Sequence, residues 1–288
     1  MAQARANGID IEYEAIGEPE GPPILLVMGL GGQLIRWQDD FCKMIADRGR
    51  WVIRFDNRDV GLSSHLDHLG TPDIGKVAAG EQKPAYTLED MAADTAGLLD
   101  ALEIEKAHVC GLSMGGMIAQ IMGYAFPEKI ATLCIFESTP GSPNLPPPDQ
   151  QAMEALLTVP PDDLEGYAGH MARVMRVFAG GSGSFDEEME YENGKQSYLR
   201  SYHPQGVARQ MAAVAGAGDR MPGIRKITAP TLVLHGALDP LIPPEHGRAM
   251  AMAIPEAEFA TIGDMGHGLA YPALWSEIVE HLVALAAR

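Results

Sequence analysis

The chain has 288 residues, 46% hydrophobic and 21% charged, a globular balance that excludes a disordered or collagen-like polypeptide. Its 39 acidic residues against 21 Lys and Arg give a net charge of -18, which repels phosphate backbones and excludes nucleic acid and anionic membrane as natural partners. No stretch reaches the ~18 consecutive apolar residues of a membrane span, the N-terminus lacks the apolar core of a secretory signal, and Cys42, Cys110 and Cys134 show no metal-ligand spacing. The expectation is a soluble, cytoplasmic protein that holds no metal.

In chain order, Ile24 to Met28 is a continuous apolar run, the pattern of a strand buried on both faces. Leu34, Trp37, Phe41, Met44 and Ile45 follow at helical spacing. Trp51 to Asp56 reads as the next strand. Thr87 opens a T-x-x-D start signal for a helix reaching Leu102, with Leu88, Met91, Thr95, Leu98 and Leu99 on one face. A strand from Ala107 to Cys110, a helix from Met114 to Phe126 and a strand from Ile130 to Phe136 come next.

This alternation implies an α/β fold, a mostly parallel sheet with helices on both faces. Pro140, Pro143, Pro146, Pro147 and Pro148 then break the pattern. From Gln150 to Gly218 the periodicity is helical without strands, interrupted by a flexible Ala179-Gly-Gly-Ser-Gly-Ser184. Strand and helix resume with Thr231 to His235, Pro244 to Ala253, Phe259 to Ile262 and Pro272 to Leu285. The reading is one α/β core (residues 1–138 and 223–288) carrying an inserted helical cap (139–222).

The strongest chemical signal is Gly111-Leu112-Ser113-Met114-Gly115, a G-x-S-x-G between a predicted strand and a predicted helix. That is the context of a nucleophile elbow, whose tight turn exposes the serine hydroxyl at a helix N-terminus. A serine needs a base, and the base needs an orienting acid, in the chain order Ser, Asp or Glu, His. His267, in the glycine-flanked turn Gly263-Asp-Met-Gly-His-Gly268, is the candidate base. His170 and His203 lie in the insertion, His235 ends a strand as a structural residue, and His281 faces solvent from the last helix. Asp239, just past the strand ending at His235, is the candidate acid. Glu137, after the preceding strand, competes with it, and Asp264 reads as a turn residue.

An oxyanion hole needs two donors: the amide of Met114 and that of Leu30 in the loop Met28-Gly-Leu-Gly-Gly32. The same loop, with Asp56 ending the next strand, also allows a dinucleotide-binding reading, but Leu34 stands where that fingerprint needs a small residue. Trp37 and Phe136, near strand ends, and Met171 and Met175, in a methionine-rich insertion, are candidates for the substrate pocket. The charge-rich Phe185 to Glu192 reads as a solvated helix face.

The chain resembles the α/β-hydrolase superfamily over essentially its whole length. ILLVMGLGG, VIRFDNRDVGLSS, HVCGLSMGG and GDMGHG together resemble the bacterial carboxylesterases typified by aclacinomycin methylesterase. The resemblance implies a triad of Ser113, Asp239 and His267, oxyanion donors Leu30 and Met114, a cap inserted after the sixth strand, and no cofactor. Two departures stand out: Asp59 replaces a usual glycine in Asp56-Asn-Arg-Asp-Val-Gly-Leu-Ser63, and Met28 replaces a histidine before the oxyanion loop.

The expected activity is hydrolysis of a carboxylic ester of a fairly apolar small molecule through an acyl-enzyme, by a monomer or homodimer. The alternatives are a lactonase or macrolide-ring esterase, a cofactor-free haloperoxidase or perhydrolase, a carbon–carbon bond hydrolase, and a non-catalytic ligand receptor on the same fold.

Overall fold

The chain opens with a hairpin that no long apolar run announces. Strands β1 (Ala2–Ala6) and β2 (Ile9–Ile16) are joined by Asn7-Gly8, both at positive φ (45° and 81°), the conformation that an Asn-Gly turn supplies. The other strands are β3 (Pro23–Val27), β4 (Trp51–Phe55), β5 (Ala107–Leu112), β6 (Ile130–Phe136), β7 (Thr231–Gly236) and β8 (Glu258–Ile262). In the computed structural model, which describes residues 2–288, they form one sheet of order β1-β2-β4-β3-β5-β6-β7-β8. The hairpin pairs antiparallel; β3 to β8 are parallel throughout. The mostly parallel α/β sheet read from the sequence is therefore present.

The period-two geometry of strands sorts the apolar runs onto two faces. Leu25, Val27, Leu133, Ile135 and Val233 pack in one core layer, and Ile24, Leu26, Cys134, Phe136, Leu232 and Leu234 in the other. In chain order the helices are α1 (Asp39–Ala46), α2 (Ile74–Ala78), α3 (Leu88–Ala101), α4 (Met114–Ala125), α5 (Gln150–Leu157), α6 (Leu164–Phe178), α7 (Glu187–Arg200), α8 (Pro204–Gly216), α9 (Met221–Ile224), α10 (Pro244–Ala253) and α11 (Trp275–Leu285). The first layer is covered by α3, α4 and α10, the second by α1 and α11. Thr87 and Asp90 close a reciprocal capping box at the start of α3. None of the helices among the described residues is long and apolar enough to cross a membrane.

The helical spacing from Leu34 to Ile45 is split. A short 3-10 turn covers Leu34–Arg36, Trp37 is extended, and α1 starts only at Asp39. Two core side chains draw the backbone out of the helix: the Asp56 carboxylate takes the Leu34 amide (2.6 Å) and the Arg54 guanidinium takes the Trp37 carbonyl.

Between β6 and β7 the chain forms α5 to α9, and buried charge docks these helices on the sheet. Arg209 of α8 (1% exposed) makes a two-pronged bond to Asp59 (0% exposed), Nε to Oδ2 at 2.8 Å and Nη2 to Oδ1 at 2.7 Å. Asp59 has φ 69°, which explains why glycine suits this position and why a short polar side chain tolerates it. Arg200 of α7 reaches Asp56 (2.8 Å), and Arg36 holds Glu190 of α7 with both carboxylate oxygens (2.7 and 2.6 Å). Glu190 is 1% exposed, so the charge-rich segment is not merely a solvated face.

The expected flexible stretch 179–184 is anchored as well. Ser182 Oγ donates to the Asp264 carbonyl and Ser184 Oγ to the Asp264 carboxylate, both at 2.6 Å. Asp264 thus serves the inserted segment rather than its own turn.

Removing one partner of a buried ion pair strands the other, at a cost of about 3–5 kcal/mol. Arg209→Met should therefore lower unfolding stability by about that amount in a urea titration. A loss below about 1 kcal/mol would show that the pair does not hold the inserted helices down.

Candidate active site

At the end of β5 the chain turns into α4 within one residue. Ser113 occupies that turn at φ 57°, ψ -117°, a left-handed conformation that a serine adopts only under constraint. The constraint is packing. A Cβ on Gly111 would lie 2.1 Å from the Gly115 carbonyl oxygen, and one on Gly115 would lie 2.0 Å from that of Val27. Ser113 N donates to the Phe136 carbonyl (2.9 Å), and Ser138 Oγ donates to the Ser113 carbonyl (2.8 Å). The hydroxyl is left partly exposed at the N-terminus of α4, where free backbone amides favour negative charge.

His267 arrives from the loop after β8, held by its amide on the Phe178 carbonyl (2.8 Å). Its Nε2 lies 3.0 Å from Ser113 Oγ and its Nδ1 2.7 Å from Asp239 Oδ2. The other Asp239 oxygen accepts the Leu241 and Ile242 amides (2.9 and 2.8 Å), which fixes the carboxylate plane. Burial alone would raise the Asp239 carboxyl, but the His267 and His235 imidazoles and their hydrogen bonds hold it down at about 2. His235 is fully buried, with Nε2 on the Ile242 carbonyl (2.8 Å), a structural arrangement.

Glu137, the competing acid, is also here. It is fully buried at φ 47°, its Oε2 accepts the Gly268 amide (2.7 Å), and the same oxygen lies 3.9 Å from His267 Nδ1. Distance therefore gives the imidazole to Asp239. Burial and the adjacent Asp239 charge push the Glu137 carboxyl well above the usual carboxylate range, against the pull of the Gly268 and Gly236 amides.

The loop after β3 presses on the serine: a Cβ on Gly29 would lie 3.2 Å from Ser113 Cβ. Asn57 Nδ2 donates to the Met28 carbonyl (3.0 Å), so the loop that lacks the usual histidine is supported from the loop after β4. Gly32 N donates to the Gly29 carbonyl (3.1 Å), and Gly31 N donates to Gln210 Oε1 of α8 (2.9 Å). Gln210 is fully buried and also donates to the Arg58 carbonyl (2.7 Å), an arrangement that no sequence pattern signals. Asp56, the carboxylate of the dinucleotide reading, is fully buried on the Leu34 and Leu62 amides and Arg200, so it is not available to a ribose.

The pocket candidates divide. Trp37 and Phe136 are 0% exposed; Trp37 stacks on Phe41, and both residues belong to the core, which corrects their assignment as pocket walls. Met171 packs towards Gly194 of α7. Met175 does reach the site, since a Cβ on Gly268 would lie 2.5 Å from its Cε. Phe178 stands edge-on to His267 (5.9 Å), and Val207 faces Gly31. The helical stripe Met171, Met175, Phe178 could have pointed to Phe178.

A second cluster, His65, Asp67 and His203, brings three ligand-type atoms within 4.8 Å of one another. Its imidazoles stack face to face (3.8 Å, 2°), so their in-plane lone pairs cannot converge on one ion, and Arg209 already holds Asp67 (3.0 Å).

A family model described as the alpha/beta hydrolase fold matches residues 22–177, more than half of the chain. Rhodomycin D methylesterase DnrP of Streptomyces peucetius is 27% identical over 279 residues, 89% of this chain and 88% of that protein. The poly(3-hydroxyalkanoate) depolymerase of Ectopseudomonas oleovorans is 29% identical over 251 residues, 87% of this chain and 80% of the depolymerase. Among solved structures, the enol-lactonase from Burkholderia xenovorans LB400 has a TM-score of 0.74 at 24% identity, with 100% of both chains covered, a likeness of fold.

Because folding raises the affinity of Glu137 for its proton, the stability it contributes is complete below the ordinary carboxylate range and is lost as pH rises through the elevated value. Glu137→Gln keeps the shape and cannot ionise. Its melting temperature should gain on that of the unsubstituted chain as pH rises from about 5 to about 9. A constant difference across that interval would mean that no buried ionisation is suppressed here.

Proposed function

We infer the reaction from a fixed premise: this chain belongs to the α/β-hydrolase family. It is a hydrolase, and we assign it the cleavage of a carboxylic ester of a fairly apolar small molecule through an acyl-enzyme. One observation carries this reading: Ser113 Oγ, His267 Nε2, His267 Nδ1 and Asp239 Oδ2 form an unbroken chain at 3.0 and 2.7 Å on a strained strand-to-helix turn.

Ser113 Oγ attacks the ester carbonyl as His267 Nε2 takes its proton, and Asp239 stabilises the imidazolium through Nδ1–H. The negative charge that builds on the carbonyl oxygen falls to the Met114 and Leu30 amides. The choice of Leu30 is supported by its neighbours, because the Gly31 and Gly32 amides are already spent on Gln210 and Gly29. His267 then gives its proton to the leaving alcohol, and the acyl-enzyme is cleared by a water that His267 activates.

Two features favour an apolar substrate: the Met175 and Phe178 side chains beside His267, with Val207 against the loop after β3, and the likeness to an enzyme named for cleaving the methyl ester of rhodomycin D. A lactone is an internal ester and would follow the same steps.

Ser113→Ala should fold normally and lose hydrolysis of p-nitrophenyl esters by at least ~10⁴-fold, together with labelling by a fluorophosphonate. Asp239→Asn should lose a similar factor for a different reason. The Leu241 and Ile242 amides hold the oxygen side of residue 239, so the new amide group turns its NH₂ towards His267 Nδ1 and imposes the wrong tautomer. Ester hydrolysis that survives Ser113→Ala would end the assignment.

A further inference from the structure

Two carboxyl groups face one imidazole. We propose that Glu137 is a second acid for His267: a positioning residue that holds the histidine loop through the Gly268 amide and takes over His267 Nδ1–H when Asp239 is lost. The proposal rests on the Ser113–His267 reading given above.

Geometry supports it. Glu137 Oε2 lies 3.9 Å from His267 Nδ1, against 2.7 Å for Asp239 Oδ2, so both carboxyl groups face the same ring nitrogen. The side chain starts from a fixed point, because Glu137 N donates to the Leu234 carbonyl (2.9 Å) and the residue sits at φ 47°. A Cβ on Gly236 would lie 3.0 Å from Glu137 Oε1, so that side is tightly packed.

The second oxygen, Oε1, is buried and makes no well-aligned hydrogen bond among the described residues, with only the Gly236 amide drawing on it. A group needed only to accept one amide proton is served by a neutral side chain; burying an ionisable one adds a cost that a structural role does not repay.

Charge supports it too. The groups facing Glu137 are Asp239, His267 and the Tyr271 phenol, with His235 behind Asp239. Burial, and with it the charge of the ionised Asp239, keeps the proton on Glu137. Deleting Asp239 removes that repulsion, and Glu137 can lose its proton and carry the one negative charge the imidazolium needs. The Glu137 O–H bond breaks and its proton goes to solvent; no other covalent bond changes.

The test is a double-mutant cycle read by fluorophosphonate labelling rate and ester turnover. Asp239→Ala is the informative deletion, since it leaves Nδ1–H free instead of imposing the wrong tautomer. It should lose about 10²-fold, and Asp239→Ala with Glu137→Gln about 10⁴-fold, the usual deficit of a triad without its acid. Glu137→Gln alone is the fourth corner of the cycle: its cost with Asp239 present is the value against which the roughly 10²-fold loss it adds in Asp239→Ala is read.

The downfield proton signal of His267 Nδ1 should persist in Asp239→Ala and vanish in the double variant. Should Asp239→Ala fail to fold, Asp239→Ser supplies an acceptor for the Leu241 and Ile242 amides in its place. An equal cost of Glu137→Gln in both backgrounds, or a folded Asp239→Ala no more active than the double variant, would overturn the proposal. An unsubstituted chain that the fluorophosphonate does not label overturns the serine nucleophile itself, before any variant is read.

Discussion

The contact on which the site depends is between backbones: the first turn of α4 lies so close to the ends of β3 and β5 that no Cβ fits at Gly111 or Gly115. That approach leaves the intervening residue no regular conformation, and Ser113 takes up the strain at φ 57°. The bonds that tie it down, to the Phe136 carbonyl and from Ser138, both come from the end of β6. Glu137 lies between those two residues, so one local geometry places the serine and the second carboxyl together. A doubly wound sheet offers its crevice at this switch point, where β3 and β5 are neighbours and the chain departs in opposite directions.

Around this rigid centre, an acidic chain with a net charge of -18 places its scarce arginines with care. Arg58 pairs with Asp94, Arg200 with Asp56, Arg209 with Asp59 and Arg36 with Glu190, and each of these carboxylates is nearly or fully buried. Arginine suits the task because its planar fork satisfies two carboxylate oxygens at once and keeps its charge at any accessible pH. Three of the four pairs join helices between β6 and β7 to the loops after β3 and β4. The inserted helices are therefore held by directional charge as well as by apolar contact.

The parallel sheet was legible because buried strands read as unbroken apolar runs such as Ile24 to Val27, and helix α3 because Thr87 and Asp90 write its start. Ser113, His267 and Asp239 could be picked out because each lies in a turn directly after a strand. The hairpin carries a weaker signal, since its two short strands alternate polar and apolar residues and only Asn7-Gly8 marks the turn. Trp37 misleads for the opposite reason: an aromatic near a strand end reads the same whether it faces a ligand or, as here, Phe41. Gln210 and Arg209 were invisible because their partners, Gly31 and Asp59, lie far off in sequence, and no local pattern encodes such pairings.

Gln210 has a consequence for how this fold diversifies. Segment 139–222 looks modular, a helical block between two strands that could be exchanged for another. Yet its residues hold the Gly31 amide, the Asp59 and Asp56 carboxylates and the Arg58 carbonyl, all of which belong to the core. A transplanted block that lacked those three side chains would leave two buried carboxylates without their arginines and the loop after β3 without its brace. Modularity along the chain is not modularity in energy, and a lineage that changes this segment must change the loops after β3 and β4 with it.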